Sequence, residues 1–424
     1  MAEVRVRIDP GIEGPTSGTW VQQTGEWQEQ VTTWNGPFRY VGGFLHVGQR
    51  AYSVNVRRGR SDETEAFQSG STQLQLRNLD GFFDPLGPFP LRLRQPLEVR
   101  DGFNDYGPGQ FDEAVGTFQD FGTQTFLGQS VFAGFVEDVD LTYSPDGDAQ
   151  VSLNGVDGLA ILSNQSILNL PVPEEDGGDR IRRVIAAPDV NFPGPVSIDD
   201  GITLMGESVA SRNVTEYLRQ VEVSEQGRLF VTRDGTLTFR NRRADFGTPF
   251  VFADDGSGVF YSTLERYSGA RSLFNRILGR REGGPTLAFN DQASQAEFNV
   301  RSLDIGELLT ASDTFVAGII SALALLFATP RTRVFQASIV VNRLDDATRS
   351  EMLGLDLTSA ATAIFSPPQS SQVQNDLLIQ GIEHSIVVGG TWRSTFNFEE
   401  RDTDVFFTLD DAEFGRLNFN RLAF

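Results

Sequence analysis

Residues 54–85 constrain the fold more than any other stretch, because they contain two runs of alternating polar and apolar side chains. Val54 and Val56 alternate in the first run and Leu74 and Leu76 in the second, which is the period of a half-buried strand. The first run leads into a basic loop, Arg57-Arg58-Gly59-Arg60. Turn-forming residues end the second run: Asn78, Asp80, Gly81, Asp84 and Pro85. The order strand, charged loop, strand and turn predicts antiparallel β structure.

The composition excludes several classes of chemistry. A chain of 424 residues predicts two to four domains. The absence of Cys excludes disulfides, thiolate metal sites and cysteine nucleophiles. Only two histidines are present, His46 and His384, and the position of His384 in an alternating strand favours a structural role.

The charge balance argues against tight nucleic-acid binding. The net charge is −22, and all 35 basic residues are Arg. A GC-rich coding sequence would explain the Arg usage, and an acidic surface adapted to salt is a lesser alternative. Phosphate contacts need cationic patches, so an acidic chain is instead suited to line a passage through which DNA slides.

The longest apolar run, Phe315–Ala328, has about 14 residues, which is short of a membrane span. It predicts a buried helix with Ser312 or Asp313 as N-cap and Pro330 beyond its end. A membrane-inserting segment is the alternative. The first residues alternate as a strand does, so no signal peptide and no stable membrane span are expected.

The pattern along the chain predicts a mainly β fold with an α+β insert, in which two barrel-like antiparallel β domains flank a small α+β domain. We expect a first β domain over residues 1–160, the α+β domain over 161–265, a second β domain over 266–412, and a terminal segment over 413–424. The clearest expected strands of the first domain are Val4–Ile8, Phe44–Val56, Gln73–Arg77, Leu97–Arg100, Val131–Tyr143 and Gln150–Asn154.

The later domains contain both helix and strand signals. In the α+β domain we expect a short helix at Asp179–Ala187, a helix at Ser211–Gln226 with Gly227 as its C-cap, and a hairpin at Arg228–Arg240. The second β domain shows candidate strands at Arg271–Arg281, Gln295–Val300, Arg333–Ile339, Leu377–Val388 and Thr391–Glu399. Gly134-Phe135-Val136-Glu137 and Gly381-Ile382-Glu383-His384 both occur in a long strand before a turn, which suggests an internal repeat.

No catalytic constellation is recognisable, so neither an enzyme nor a cofactor is predicted. Nucleotide-binding glycine fingerprints, the G-x-S-x-G elbow and zinc spacing are all missing from the sequence. Glu137-Asp138 and Asp254-Asp255 are carboxylate pairs by adjacency alone, and neighbours on a strand point to opposite faces. The acidic run Glu174–Asp179 lacks the spacing of a calcium loop and is expected to be solvated, with weak Ca²⁺ binding as the alternative. Two short basic clusters are expected to form ion pairs, Arg180-Arg182-Arg183 and Arg240-Arg242-Arg243.

With these strands in place, residues 57–85 resemble a segment of minor tail proteins and tail-tip hub proteins of long-tailed, siphovirus-like bacteriophages. The residues that carry the resemblance, and that we take as candidate interface residues, are Arg57, Arg58, Gly59, Arg60, Asn78, Asp80, Gly81, Phe82, Phe83, Asp84, Pro85 and Gly134. Further similar segments follow in the same order, at Pro90–Arg100, Phe132–Glu137, Gly227–Phe239 and Leu417–Phe424. Residues 9–40 and 101–130 look like insertions relative to that pattern.

The resemblance implies a structural virion protein at the tail tip, similar in plan to a contractile-tail baseplate hub. Such a hub is a homotrimeric ring whose paired barrels adapt a sixfold tail tube to a threefold tip. Its implied partners are the distal tail ring, the tape-measure protein and tip-fibre or receptor-binding proteins, with genomic DNA only in passage. The alternatives are a sixfold distal-tail ring, a carbohydrate-binding tail adhesin and, with less support, a tail-associated glycan hydrolase.

Overall fold

The computed structural model describes residues 4–8, 40–41, 44–62, 65–87, 89–102, 128–269 and 272–401. The insertions expected at 9–40 and 101–130 lie almost wholly outside the described residues, and the segment 413–424 lies entirely outside them. Nearly half of the described residues are in strands and about a fifth are helical, so the expected mainly β fold with an α+β insert is confirmed.

The first barrel is formed by antiparallel strands in the order β4-β5-β8-β7-β6-β1-β3. Its strands are β1 (Val4–Ile8), β2 (Tyr40–Val41), β3 (Phe44–His46), β4 (Ala51–Gly59), β5 (Gln68–Arg77), β6 (Pro96–Asp101), β7 (Ser130–Tyr143) and β8 (Ala149–Val156). The strand expected at Phe44–Val56 is interrupted by a 3₁₀ turn at Gly48–Arg50. Because β3 pairs with β1 and β4 pairs with β5, this one bent segment closes the sheet into a barrel.

The α+β unit follows, and helices α1 and α2 pack with α3 around one core. Its elements are α1 (Gly158–Ser163), β9 (Ser166–Val172), β10 (Glu175–Asp176), α2 (Gly177–Ile185), β11 (Val196–Ile198), β12 (Leu204–Met205), β13 (Ser208–Asn213), α3 (Val214–Glu225), β14 (Arg228–Val231) and β15 (Leu237–Arg240). The short helix expected near residue 180 and the hairpin β14–β15 are confirmed.

Two details of α3 correct the sequence prediction. The helix begins after Asn213, whose side chain accepts bonds from Thr215 and Glu216, whereas Ser211 still belongs to β13. The left-handed residue at its end is Gln226, with φ 53°, and not Gly227. Gly227 has another role, because a Cβ atom there would lie 2.5 Å from the ring of Phe239.

The remaining elements build a second barrel and an insertion within it. They are β16 (Phe250–Ala253), β17 (Thr263–Ser268), β18 (Arg276–Arg281), β19 (Leu287–Asn290), α4 (Gln292–Phe298), β20 (Ser302–Leu308), α5 (Asp313–Phe327), β21 (Thr332–Val340), α6 (Asp346–Leu353), β22 (Ala360–Phe365), β23 (Val373–Val387) and β24 (Trp392–Glu400). The barrel order is β17-β21-β24-β23-β22-β16, and a bridge between Phe252 and Val259 closes it.

The insertion lies between β17 and β21, and the sequence pattern did not separate it from the second barrel. Its sheet β19-β18-β20 packs on α5 around a small core that includes Ile277, Leu308 and Ile320. Helix α5 confirms the expected buried helix, with Ser312 as its N-cap. The strand expected at Gln295–Val300 is wrong, because those residues mainly form helix α4, capped by Asp291. No helix in the described ranges has both the length and the apolar character needed to cross a membrane.

The two barrels repeat one topology. Taken in chain order, β1, β3–β4, β5, β6, β7 and β8 occupy the same places around the first barrel as β16, β17, β21, β22, β23 and β24 around the second. One strand differs in direction, since β1 is antiparallel to β6 whereas β16 is parallel to β22.

The repeat can be aligned residue by residue through β7 and β23. The last paired residues of these strands in their hairpins are Tyr143 and Ile386, which are 243 residues apart. Both strands carry a register shift at matching positions, at Glu137 and at Gln380. The two similar tetrapeptides noted in the sequence, Gly134–Glu137 and Gly381–His384, therefore lie in equivalent strands but at different positions along them. Gly381 aligns with Asp138 and not with Gly134.

Candidate functional site: the sheet shared by the two barrels

One sheet runs through both barrels, because β4 of the first pairs antiparallel with β23 of the second. The pairing extends from Gly59 opposite Gly381 to Ser53 opposite Val387. Eight strands then follow one another across the molecule in the order β7-β8-β5-β4-β23-β24-β21-β17. The basic loop that carries the family resemblance lies at this junction.

The outward face of these eight strands is polar, and we call it the polar wall. Its cross-strand neighbours can be followed from barrel to barrel along two rows. The first row runs through Asp138, Asn154, Gln73, Asn55, Ser385 and Arg393. The second row runs through Val156, Ser71, Arg57, Glu383, Thr395, Ser338 and Thr263. The alternate residues of the same strands face the opposite way into the apolar core.

Strand alternation divides the arginines of the basic loop between the two faces. Arg57 is exposed on the polar wall, where its guanidinium donates to Ser61 Oγ at 2.7 Å. Arg58 is buried and forms a 2.6 Å ion pair with Asp356, whose other oxygen accepts the backbone N–H of Arg233. Arg60 pairs with Glu399 at the end of β24. The loop is therefore not one cationic patch but three arginines with separate partners.

Glu399 holds together three parts of the chain. Its carboxylate is 7% exposed and accepts from Arg60, near β4, and from Arg228 Nε of β14 at 2.9 Å. Burial alone would raise the pKa of Glu399, but the guanidinium groups of Arg228 and Arg60 outweigh it and hold the pKa below its ordinary value. The ionised carboxylate therefore links the two barrels and the α+β unit.

Gly59 is the site of a close backbone approach between the barrels. Its φ is 88°, and a Cβ atom there would lie 2.2 Å from the carbonyl oxygen of Gln380 and 2.9 Å from Cα of Gly381. These two atoms are backbone, so they cannot move aside as the nearby Leu357 side chain could. Only glycine fits at this point of the junction.

We expect Gly59→Ala to lower the free energy of unfolding by about 2–4 kcal/mol, because the new methyl group adds a backbone clash to the strain of a positive φ. Gly147→Ala is the matched control, since Gly147 has φ 90° but no atom lies within 4 Å of the place that the new methyl group would occupy. The control substitution is expected to lower the free energy of unfolding by only about 1 kcal/mol. Urea unfolding followed by circular dichroism measures both, and equal costs would show that the junction is not tightly packed.

The turn at Asn78–Pro85 is built around buried side chains. Asn78 is 1% exposed, donates to Asp84 Oδ1 at 2.7 Å and accepts from the backbone N–H of Phe83 at 2.8 Å. Asp80 forms a bidentate pair with Arg50 at 2.6–2.7 Å, and this pairing is the main reason that its pKa is lowered. The motif residues therefore fix the shape of a turn at the rim of the first barrel.

The aromatic residues of the motif belong to the core rather than to an exposed surface. Phe82 and Phe83 are 8% and 1% exposed, and they pack edge-to-face with a 5.1 Å centroid separation, with Phe89 beside them. This corrects the expectation that they offer an interface, since a carboxylate at Phe83 would be buried among apolar rings and would unfold the barrel. Pro85 is exposed in the turn, and Gly81 has φ 64°.

Gly134 lies in β7 opposite Leu97 of β6. A Cβ atom there would lie 2.2 Å from the carbonyl oxygen of Val156. The structure thus brings Arg57–Arg60 and the inter-barrel junction together, but it places the Asn78–Pro85 turn at the rim and Gly134 across the first barrel.

Sequence reasoning missed Asp157, a second buried carboxylate near the junction. Its carboxylate caps α1 through Leu159 N–H and accepts from Gly70 N–H at 2.6 Å and Ser69 Oγ at 2.9 Å. Burial raises the pKa of Asp157 to about 6 despite these bonds and the nearby Arg58. The signal was present in the sequence, because an Asp before an apolar run is a helix N-cap pattern.

Ion pairs are formed by the first basic cluster singled out in the sequence and by Arg240 of the second. Glu175 accepts from Arg180 and Arg183, while Arg182 bridges Asp179 and Asp200. Arg240 pairs with Asp199 at 3.2 Å. The acidic run is therefore partly neutralised by the neighbouring arginines, and no cluster of metal-ligating side chains occurs within the described ranges.

The fold is shared with solved tail proteins. The chain is similar to a 43 kDa tail protein of prophage MuSo2 from Shewanella oneidensis, with a TM-score of 0.56 and 13% identity over 94% of this chain and 97% of the other. It is also similar to a tail protein from Neisseria meningitidis MC58, with a TM-score of 0.54 and 10% identity over 94% and 96% of the two chains. No protein-family model matches the sequence, and no curated protein matches it. The resemblance to phage tail proteins is thus confirmed, and at these identities it is a likeness of fold.

Proposed function

We propose that this chain is a structural protein of a phage-type tail, and that three copies form a hub ring at the tail tip with the polar wall facing the channel. The observation that carries the proposal is the continuous polar face of eight strands across two barrels of the same topology. Since each chain contains two similar barrels, a ring of three chains presents six similar positions. Six positions suit attachment to a sixfold tube. The shared fold with two tail proteins supports the placement in a tail.

The width of the wall agrees with a ring of three. Three copies with eight wall strands each would place 24 strands around a channel. At about 4.8 Å between neighbouring strands, the circumference would be about 115 Å and the backbone diameter about 37 Å. After side chains are allowed for, that channel is wide enough for a DNA duplex.

The chemistry of the wall suits passage of DNA better than binding. Its two rows consist mostly of hydroxyl and amide side chains, and the charged residues among them are of both signs. Arg57 faces Glu383 across the junction, so its charge is opposed locally. Tight binding of a duplex needs many unopposed cations along the phosphates, and the net charge of −22 works against it.

The finer assignments follow from the sequence resemblance. As a hub, the ring would join the tail tube and distal tail ring on one side to the tip fibre on the other. The tape-measure protein would contact it during assembly, and genomic DNA would meet it only in passage. These partners define where the protein should be found in a particle.

We expect native mass spectrometry of the purified chain to show trimers. Hexamers would favour the distal-tail ring, and a chain that stays monomeric over the accessible concentrations would contradict the hub. In particles, quantitative mass spectrometry against the major capsid protein is expected to give three copies of the chain. Absence from particles would remove the virion assignment.

A further inference from the structure

Helix α5 is apolar around its whole circumference, yet the described residues cover only part of it. None of its residues after Asp313 is charged. Val316, Ile319 and Ile320 are buried against the insertion sheet, where α5 packs mainly on β18 and β19. Helices that are hydrophobic all round are found buried inside proteins, whereas helices with one solvated face carry charged or polar residues there. The sequence of α5 is therefore that of a helix with a second apolar neighbour.

The outward face of α5 is formed by residues at helical spacing. Thr314, Ala322 and Leu325 are exposed, and Gly318 between them is half-buried. Leu325, near the end of the helix, is 55% exposed. A continuous apolar face of this kind marks an interaction site rather than a solvated surface.

Three other helices in the described ranges place charge on their solvent side. Asp179 and Arg183 are exposed on α2, Glu216 is exposed on α3, and Asp346 is exposed on α6. Charged side chains keep those faces solvated without a further partner. The outward face of α5 has no such residue, so the group that covers it should be apolar.

The chain leaves the described residues close to the end of α5. Arg331, just beyond α5, lies 4.0 Å from the carboxylate of Glu400, the last residue of β24. Arg333 lies 3.9 Å from the same carboxylate. Residues 402–424, which lie outside the described residues, therefore continue the chain from a point beside the end of this helix.

Residues 402–424 contain the apolar side chains that such a face needs. They include five of the 34 Phe residues of the protein. Within them, the motif segment Leu417–Phe424 has four large apolar side chains and Arg421 as its single charge. All five carboxylates of residues 402–424 precede this segment. Leu417–Phe424 therefore matches the uncharged outward face of α5.

We propose that Leu417–Phe424 packs on the outward face of α5 in the same chain. This inference goes beyond the proposed function and does not depend on a ring. From Thr314 to Leu325 the face is about 17 Å long, at about 1.5 Å per residue of helix. Residues 402–416 span up to about 50 Å when extended, so the segment reaches every part of the face.

Tethering favours a segment of the same chain over a separate partner. A flexible tether holds its segment at an effective concentration on the order of millimolar, so a modest contact area is sufficient. A membrane surface fits less well. An interfacial helix combines its apolar face with a strongly charged one, whereas the opposite face of α5 is buried against the sheet.

Photo-crosslinking tests the contact in the full chain. A benzophenone amino acid in place of Leu325 is expected to link to residues 417–424, as mapped by mass spectrometry after proteolysis. The matched control places the same amino acid at Leu168, which is 67% exposed in β9, and should give no such link. A mixture of unlabelled and isotope-labelled chains shows which chain supplies the segment. Links between differently labelled chains would overturn packing within one chain.

Charges placed in the segment give an independent readout. Leu417→Asp combined with Phe419→Asp is expected to speed amide hydrogen exchange in α5 about tenfold, because a helix that loses packing on one face opens locally more often. Thr403→Asp with Thr408→Asp adds the same charge outside the segment and should leave exchange in α5 unchanged. Circular dichroism verifies that both variants are folded. Equal exchange in the wild type and in the first variant would overturn the proposal.

The remaining outcomes separate this inference from a membrane contact and from the proposed function. Co-sedimentation of the wild-type chain with vesicles of phosphatidylcholine and phosphatidylglycerol, lost in Leu325→Asp, would assign the face to a membrane and overturn the packing of Leu417–Phe424. Links from position 325 to residues 417–424 in a monomeric chain would support this inference while contradicting the hub. Trimers without those links would retain the hub and overturn this inference.

Discussion

Glu399→Gln is expected to lower the free energy of unfolding by about 3–5 kcal/mol, because it removes the negative charge from a buried group that contains two guanidinium ions. Arg60 and Arg228 both bind this carboxylate, and their side chains are 13% and 20% exposed. With a neutral amide in its place, no negative charge would balance the partly buried guanidinium groups of Arg60 and Arg228. Urea unfolding at pH 7 measures the loss.

The matched control is Asp200→Asn, which removes a carboxylate from an exposed ion pair. The Arg182 and Asp200 side chains are 40% and 87% exposed, so solvent screens their interaction. A loss below about 1 kcal/mol is expected there. If both substitutions lowered the free energy of unfolding equally, the buried Glu399 cluster would contribute no more to stability than an exposed ion pair does.

The same cluster makes a prediction about cooperativity. Since Glu399 connects β24 to Arg60 and to Arg228 of the α+β unit, its loss should separate the unfolding of these parts. Wild-type unfolding is expected to be one transition across residues 51–60, 228–231 and 392–400, as followed by hydrogen exchange. In Glu399→Gln, earlier exchange in one of these segments is expected.

Much of the local structure could be predicted from the sequence because its signals are local. The alternation at Leu74 and Leu76 identified β5, and the apolar run near Ile320 with Ser312 before it identified α5. In each case the side-chain period and the cap act within a few residues. Fold class followed from many such signals that agree.

The errors arose where two local signals compete. Residues Gln295–Val300 alternate as a strand does, but Asp291 caps a helix through Ser294 N–H, and the helix-forming residues between them decide the outcome. Gly227 follows a helix as a C-cap would, yet close packing on Phe239 is what requires a glycine. A single sequence does not show which of the two reasons applies.

The site depended on contacts that a single sequence does not contain. The pairing of Arg57 with Glu383 joins residues more than 320 positions apart, and no local pattern reports it. The motif indicates an interface role for Phe83, whereas its burial depends on Phe82 and Phe89 folding back over the barrel. In the sequence, only two similar tetrapeptides indicated the internal repeat, because the barrels repeat their strand order and not their sequence.

His384 should make the shared sheet sensitive to acid. Its ring is buried in β23, and Nδ1 accepts from Ser394 Oγ at 2.8 Å and from the indole N–H of Trp392 at 3.4 Å. Burial, with the nearby charge of Arg58, lowers the pKa of His384 to about 3. A proton on Nδ1 would point at the indole N–H, so the folded chain resists protonation.

The sign of the pH effect follows from the two states. The unfolded chain takes up a proton at His384 below its ordinary pKa of about 6.5, whereas the folded chain does so only near 3, so stability is lost as the pH falls through this window. The loss attributable to His384 should be about 3 kcal/mol at pH 4.5. Asp157 opposes it over part of the same range, because its raised pKa favours the folded state as the pH falls.

The two contributions can be separated by variants rather than by the wild-type curve. We expect His384→Asn, which keeps an acceptor near Ser394 but cannot take up a proton, to lose about 3 kcal/mol less than the wild type between pH 7 and pH 4.5. Asp157→Asn should lose more stability than the wild type between pH 7 and pH 4.5, since it removes a group that stabilises the folded state on acidification. Parallel curves for the wild type and His384→Asn would show that the imidazole is protonated in the folded sheet. The neutral histidine of β23 would then not account for the loss of stability as the pH falls.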